Sequence, residues 1–330
     1  MAIVTPRWAG QIRVILVVSL NPALDVTHHV PGVDWAGVNR PAVTRAQAGG
    51  KGLNVARTLR AIGAQVQVIG FAGGITGEQV LSALGELRVP AAFTRIRGET
   101  RRTFAVVDTV RSGTALFSEP GPPVGQDEYA AFCVAYKKAL AGCTAVVLSG
   151  SLPQGLSPDT YAELGSVAEA AGVPTVLDAH GEALVRGAAA RPAIVKPNLA
   201  ELEALAGRSL STARGTDKGA VALAARELMA VGPQAVVVTL GADGLWAVTG
   251  DGSWQAVPSA EVGGNPTGAG DAVAAGLVHG LVLGRPWEER LRHAAALGTA
   301  SAAAPVAGEF SHADYAEALA GVRMSRGEAE

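Results

Sequence analysis

The chain has 330 residues, a formal net charge of −2, 48% hydrophobic and 17% charged residues, and 42 glycines. These values describe a packed globular protein; they exclude a mainly disordered chain and leave no basic footprint for nucleic acid. No stretch reaches the roughly 18 uninterrupted apolar residues of a membrane span, and the two cysteines, Cys133 and Cys143, lack the partners of a disulfide framework or zinc site, which predicts buried thiols in a cytoplasmic protein.

In chain order, the apolar run at 14–20 reads as a first strand; Arg7 and Arg13 precede it as in a signal peptide, but no small-residue cleavage site follows. It leads into Asn21-Pro22-Ala23-Leu24-Asp25, which puts Asp25 just past a strand end, where open α/β sheets bind ligands. Next comes Gly49-Gly50-Lys51-Gly52-Leu53-Asn54, ahead of a helix with Val55, Leu59 and Ile62 on one face. Lys51 can neutralise a phosphate, and Asn54 can bond hydroxyls one turn later. This is not a P-loop, because no glycine stands five positions before Gly50 and Gly52 follows Lys51 where Ser or Thr belongs. Nor is it a dinucleotide fingerprint, since Val55 occupies the last glycine position, which disfavours a Rossmann oxidoreductase.

Apolar runs at 66–71, 145–149, 175–177, 193–196 and 235–239 alternate with helical patterns at 75–87, 125–141, 157–171 and 217–231. Such alternation predicts an α/β fold, a mainly parallel sheet covered by helices on both faces. One stretch breaks the rhythm. Residues 94–119 alternate and turn near Arg111-Ser112-Gly113, a β-hairpin that with residues 26–46 would form a small second sheet within one domain spanning 1–330.

Lys196-Pro197-Asn198-Leu199-Ala200-Glu201 leaves a strand for a helix, with Asn198 and Glu201 spaced as a capping box. Metal chemistry and local capping explain that pair equally well. Thr239-Leu240-Gly241-Ala242-Asp243-Gly244 is a strand running into a glycine turn, suited to a nucleotide phosphate or to a plain hairpin.

Residues 263–276 then place Gly268, Ala269 and Gly270 before an Ala/Val-rich helix, with Asp271 at the junction. Glycine lets several N–H groups converge on one anion, and the helix dipole adds to the attraction. A carboxylate beside such a cradle is repelled by phosphate unless it has a task, such as taking a proton from an attacking hydroxyl. An ordinary helix cap would explain Asp271 alone; the second glycine site at 49–54 favours the base. Helices at 270–284, 286–304 and 311–322 complete the chain, the last opened by Ser311 and Asp314, and the residues from about Ser325 are expected to fray.

Taken in order, Asn-Pro-Ala-Leu-Asp, Gly-Gly-Lys-Gly-x-Asn, Ser149-Gly150-Ser151-Leu152-Pro153, Lys-Pro-Asn-x-x-Glu, Thr-Leu-Gly-x-x-Gly and Gly-Ala-Gly-Asp resemble the ribokinase-like, phosphofructokinase-B type carbohydrate kinases, from about Val14 to about Val322. Gly73-Gly74-Ile75-Thr76-Gly77-Glu78 and Thr100-Arg101-Arg102-Thr103 are similar to the branch acting on phosphorylated ketohexoses: 1-phosphofructokinases, tagatose-6-phosphate kinases and minor 6-phosphofructokinases. The resemblance implies a three-layer α/β/α sandwich with a β-sheet lid, which often forms a homodimer interface. It implies phosphoryl transfer from ATP with Mg²⁺, with fructose 1-phosphate as best acceptor and tagatose 6-phosphate or fructose 6-phosphate as alternatives. Asp271 would be the base and residues 268–270 the phosphate cradle. Asp25, Gly49, Gly50, Lys51, Asn54, Arg101 and Ser151 would hold the phosphosugar, with Arg40 and Arg102 as helpers. Lys196, Asn198, Thr239, Gly241 and Gly244 would hold ATP, and Glu201 would serve the metal indirectly. Asn265 stands where many relatives carry an Asp of a monovalent-cation site, which puts potassium activation in question. A kinase for an unphosphorylated sugar or nucleoside and a non-catalytic sugar-phosphate binder are the competing readings; Arg101 argues against the first and Asp271 against the second.

Overall fold

The structure is a computed structural model that describes residues 13–111, 113–213, 215–259, 267–304 and 306–327. In chain order the first half comprises β1 (Val14–Ser19), β2 (Ala23–Val30), β3 (Val43–Gly49), α1 (Lys51–Ala61), β4 (Gln65–Ala72), α2 (Gly74–Glu86), β5 (Ala91–Arg95), β6 (Arg101–Asp108), β7 (Gly113–Ser118), α3 (Gln126–Leu140), β8 (Cys143–Ser149) and α4 (Thr160–Ala170). The second half adds β9 (Thr175–Asp178), α5 (Gly181–Ala188), β10 (Ile194–Val195), α6 (Leu199–Ala206), β11 (Ser211–Thr212), β12 (Gly215–Thr216), α7 (Lys218–Val231), β13 (Ala235–Thr239), β14 (Leu245–Thr249), β15 (Gly252–Val257), α8 (Ala269–Val282), α9 (Trp287–Ala303), α10 (His312–Gly321) and β16 (Arg323–Gly327).

The large sheet has ten strands in the order β16-β15-β14-β13-β10-β9-β8-β1-β4-β5. From β5 to β13 every pairing is parallel; from β13 outward the strands run antiparallel. The parallel part is made by the Val-rich runs, whose residues are buried on both faces. In β1, Ile15 and Val17 join one core with α1, α8 and α9, while Leu16 and Val18 join the other with α3, α4 and α7. Each fully buried Val or Leu contributes about 1.5–3 kcal/mol relative to exposure. The Ala-rich α9 buries Ala294, Ala295, Ala296 and Ala300. Among the described residues no helix is long and apolar enough to cross a membrane.

The second sheet has four strands in the order β3-β2-β6-β7. Its register lines Gln47, Asp25, Thr103 and Ser118 across one row, and Thr27, Ala105 and Leu116 along the next. A slip of one residue would carry Asp25 to the opposite face. Asp108 ties the sheet to the loop after β2, accepting hydrogen bonds from the N–H groups of Gly32 (3.2 Å), Val33 (2.8 Å), Val110 (2.9 Å) and Arg111 (2.9 Å). Those bonds draw its carboxyl down to about 2.

Four expectations need correction. Asp25 lies inside β2 of the small sheet and not merely past the end of β1. The small sheet spans 23–30, 43–49, 101–108 and 113–118, whereas Thr94 and Arg95 belong to β5 of the large one. Residues 323–327 do not fray, because the backbone groups of β15 offer them a partner edge and they pair there. Cys133 and Cys143 are free and half-buried, since each sits on the rim of the packing between α3 and the sheet and not inside it; burial still pushes the Cys143 thiol up to about 11.

Candidate active site

A cleft of about 550 Å³ opens between the small sheet and the carboxyl ends of the parallel strands. Its volume suits a small-molecule ligand. Strand ends supply Ser19, Ser149, Lys196 and Thr239, and the row through the small sheet supplies Gln47, Asp25, Thr103 and Ser118 from the other side. Lys51, Asn54, Arg101, Ser151, Asn198, Gly50, Gly268, Gly270 and Asp271 also line it. The cleft therefore gathers most of the residues that the sequence proposes, though they are scattered from 25 to 271.

Two helices start at this cleft from glycines with positive φ. Gly50 (φ 88°) caps α1, and Gly268 (φ 88°) caps α8. Only glycine takes that conformation without strain, and each helix then aims its unpaired N–H groups outward. Gly268 is doubly constrained, since a Cβ there would lie 2.8 Å from the Gly308 nitrogen. Gly49 meets a different demand: a side chain on it would overlap the Asp25 carboxylate.

Asp271 sits in the first turn of α8 and is 6% exposed. Asn54 donates to its Oδ2 at 2.8 Å. Burial and, next, the charge of Asp178 push its carboxyl up to about 7, while Asn54, Lys51 and Lys196 pull it down. A base of that strength is half ionised near neutral pH, the condition under which proton transfer is efficient. Asp25 is likewise raised by burial, opposed by Arg101, Thr103, Gly50 and Arg57.

Sequence reasoning missed Asp178. It ends β9, has no exposure, and accepts from Lys51 Nζ at 3.2 Å and Lys196 Nζ at 3.3 Å on one oxygen. Among the described residues its other oxygen has no hydrogen-bond partner. Burial opposes its ionisation, but the two lysines outweigh burial and hold it below the usual carboxylate range. Lys51 in turn is held above its usual range: burial lowers it, and Asp178, Glu201 and Asp271 more than compensate. The signal was present, since Thr175-Val176-Leu177 is an apolar run ending at an acid, the same pattern that marked Asp25.

Other proposed residues fall as follows. Asn198 accepts from the Glu201 N–H and Glu201 accepts from the Asn198 N–H, both at 2.8 Å, so the capping box is real; Glu201 also lies 3.8 Å from Lys51. Asn21 donates to Ser151 Oγ at 3.0 Å. Arg101 is braced by the Asn21 carbonyl (3.1 Å) and Ser118 Oγ (2.9 Å). Ala269 begins α8 beside the cleft-lining glycines. Gly241 and Gly244 form the β13–β14 turn outside the cleft lining, and Gly244 is required there because a Cβ would overlap the Ala256 carbonyl. Arg102 donates to Thr76 Oγ1 at 3.0 Å and Arg40 is exposed; neither lines the cleft. Asn265 lies outside the described residues.

Among known proteins, the model of the pfkB family carbohydrate kinases matches residues 19–313. A 1-phosphofructokinase of Rhodobacter capsulatus is 39% identical over 283 residues, 86% of this chain and 88% of that protein. Phosphofructokinase-2 of Escherichia coli, solved in complex with potassium, superposes with a TM-score of 0.85 at 30% identity, over 94% of this chain and 99% of that one. The same enzyme solved with fructose-6-phosphate gives a TM-score of 0.83 at 30% identity over the same shares.

Proposed function

The chain belongs to the pfkB family of carbohydrate kinases, and from that premise we propose that it phosphorylates a phosphosugar, transferring the terminal phosphoryl group of ATP to the primary hydroxyl of fructose 1-phosphate to give fructose 1,6-bisphosphate. One observation carries this reading: a buried acid in the first turn of α8, Asp271, shares a cleft with a half-buried arginine, Arg101, and with the glycine-capped starts of α1 and α8.

The phosphosugar lies among Asp25, Gly49, Gly50, Lys51, Asn54, Arg101 and Ser151, with its phosphate on Arg101. ATP lies along Lys196, Asn198 and Thr239 toward the Gly241/Gly244 turn, its outer phosphates over residues 268–270. Asp271 takes the hydroxyl proton as that oxygen bonds to the terminal phosphorus, the bond to the bridging oxygen breaks, and ADP leaves. Little covalent help is needed, so catalysis is alignment plus stabilisation of charge. The glycine-turn N–H groups and the paired lysines perform the second task; donors of this kind are each worth about 3–4 kcal/mol in a transition state.

Among the described residues no group of three or more His, Cys, Asp or Glu gathers to cage a metal. Asp178 is engaged by two lysines and Glu201 by its cap. Glu201, beside the cleft-lining Lys51, would be the residue to meet a nucleotide-borne Mg²⁺ through its water shell, and the ion would neutralise phosphate charge. The small sheet acts as a lid that excludes water from the transfer. Leu116 and Val43 stand exposed on the two edge strands of the small sheet, and these apolar side chains support a homodimer through the lid. The reaction belongs in the cytoplasm, where ATP and phosphosugars meet.

The test is ATP consumption with fructose 1-phosphate, fructose 6-phosphate, tagatose 6-phosphate, ribose and adenosine. Fructose 1-phosphate should give the highest kcat/KM. Preference for ribose or adenosine would remove the phosphosugar reading, and no turnover with any of them would favour a binding protein. The complex of the E. coli enzyme with fructose-6-phosphate keeps that sugar as second choice.

A further inference from the structure

Arg57 lies one turn after Asn54 on α1, does not line the cleft, and is 5% exposed. An arginine so buried needs several acceptors. It has three. Nη1 donates to Asn54 Oδ1 at 3.1 Å and to the Ala307 carbonyl at 2.7 Å, and Nη2 donates to the Ala48 carbonyl. Ala48 is in β3 of the small sheet, and Ala307 lies in the loop on which Gly268 packs. One guanidinium thus ties the small sheet, α1 and the loop beneath the phosphate cradle together.

The bond to Asn54 has a specific chemical consequence. A primary amide has one accepting and one donating end, and an arginine can only donate. By occupying Oδ1, Arg57 forces the Nδ2 end toward Asp271, where it donates at 2.8 Å. An inverted amide would set oxygen against carboxylate. We infer that Arg57 is a positioning residue for phosphoryl transfer: it fixes the orientation of the Asn54 amide and, through it, the direction and basicity of Asp271. This rests on the reading of Asp271 as the base.

The charged surroundings are consistent with that role. Asp25 from β2, Glu309 from the loop after α9 and Asp271 from α8 all act on Arg57, while burial lowers its affinity for a proton. Around Asp271 stand Asn54 and Lys51 from α1, Asp178 from β9 and Lys196 after β10. Substitution by lysine keeps the positive charge but loses the planar fork, so it cannot hold Asn54 and both carbonyls at once.

The experiment compares wild type, Arg57→Lys, Asn54→Ala and the double variant in kcat, in KM for ATP and in the pH dependence of kcat. Arg57→Lys should lower kcat about tenfold to a hundredfold, the scale of a misplaced catalytic group, with KM for ATP within about threefold, and should move the acid limb to higher pH. In the Asn54→Ala background the same substitution should change kcat less than about twofold, because the two residues act as one unit. Full multiplication of the single effects, or a fall in kcat with the acid limb in place, would overturn the inference and leave Arg57 a packing residue. A second readout avoids turnover: in aspartate-labelled protein, carbon NMR should show the Asp271 carboxyl titrating higher in Arg57→Lys, and an unchanged midpoint would also overturn it. If Arg57→Lys does not fold, the NMR titration of Arg57→Gln decides on the same criterion. Failure of the base reading is separable, since it would appear as retained turnover in Asp271→Asn whatever Arg57 does.

Discussion

The two walls of the cleft are built differently. On the large-sheet side Asp178, Lys196 and Asp271 are buried at 0%, 3% and 6% exposure, on strand ends and a helix start backed by two apolar cores. On the small-sheet side Arg101 and Thr103 are partly exposed and Ser118 is exposed on a four-stranded sheet. Electrostatics are strong where water is excluded and weak where it is not. The contrast separates tasks: the buried wall can stabilise developing charge, while the open wall, where burial raises the Asp25 carboxyl alone of that row, can recognise a ligand and let it leave.

Substitutions in each wall can break that division. Asp271→Asn should lower kcat about 10²–10⁴-fold, with ATP and phosphosugar still bound in calorimetry; retention of more than about a tenth of the rate would refute the base role. Asp178→Asn removes the anion shared by two buried lysines, and breaking such a pair costs about 3–5 kcal/mol, so its thermal midpoint should fall well below wild type. Its effect on pH has a definite sign. Asp178 raises Asp271, so its loss should move the acid limb of the activity profile to lower pH; a limb that stays in place would show that the acid serves folding alone.

On the open wall the effects should be smaller and fall on binding. Arg101→Ala forfeits a charged hydrogen bond of about 1.5–3 kcal/mol, which raises KM for the phosphosugar about 10- to 150-fold and leaves KM for ATP almost unchanged. Equal changes in both would detach Arg101 from the sugar. Smallest is Asp108→Asn, which weakens the two N–H bonds from the loop after β2 and the two from its own turn after β6. The native carboxyl, near 2, lies below its unfolded value, so its contribution is present above about pH 4 and vanishes as pH falls toward 2. Melting curves of variant and wild type should differ at pH 7 and converge near pH 2.

The sequence revealed the glycine junctions at 49–54 and 268–271 because a positive-φ residue followed by a helix is a local event, written in consecutive letters. It also revealed the parallel strands, whose valine runs are buried on both faces. Asp178 and Arg57 were hidden for the opposite reason: their meaning comes from partners at Lys51 and Lys196, and at Ala48 and Ala307, which are distant in the chain for all but Ala48 and Lys196. Arg323-Met324-Ser325-Arg326-Gly327 has no strand pattern, and only the waiting edge of β15 makes it one. The Gly241/Gly244 turn stayed ambiguous because a hairpin and a phosphate loop use the same glycines; its positive φ is a local signal, whereas the neighbouring Ala256 carbonyl that also demands Gly244 is seen only in the fold.

That last strand affects how the molecule assembles. Between β15 and β16 the chain must first lay down α8, α9 and α10, more than sixty positions during which the outer rim of β15 carries unsatisfied amide and carbonyl groups. Any partly folded species that lacks 323–327 offers this rim as a template for a neighbouring chain. By pairing along that rim, residues 323–327 therefore guard against intermolecular pairing as well as completing the sheet.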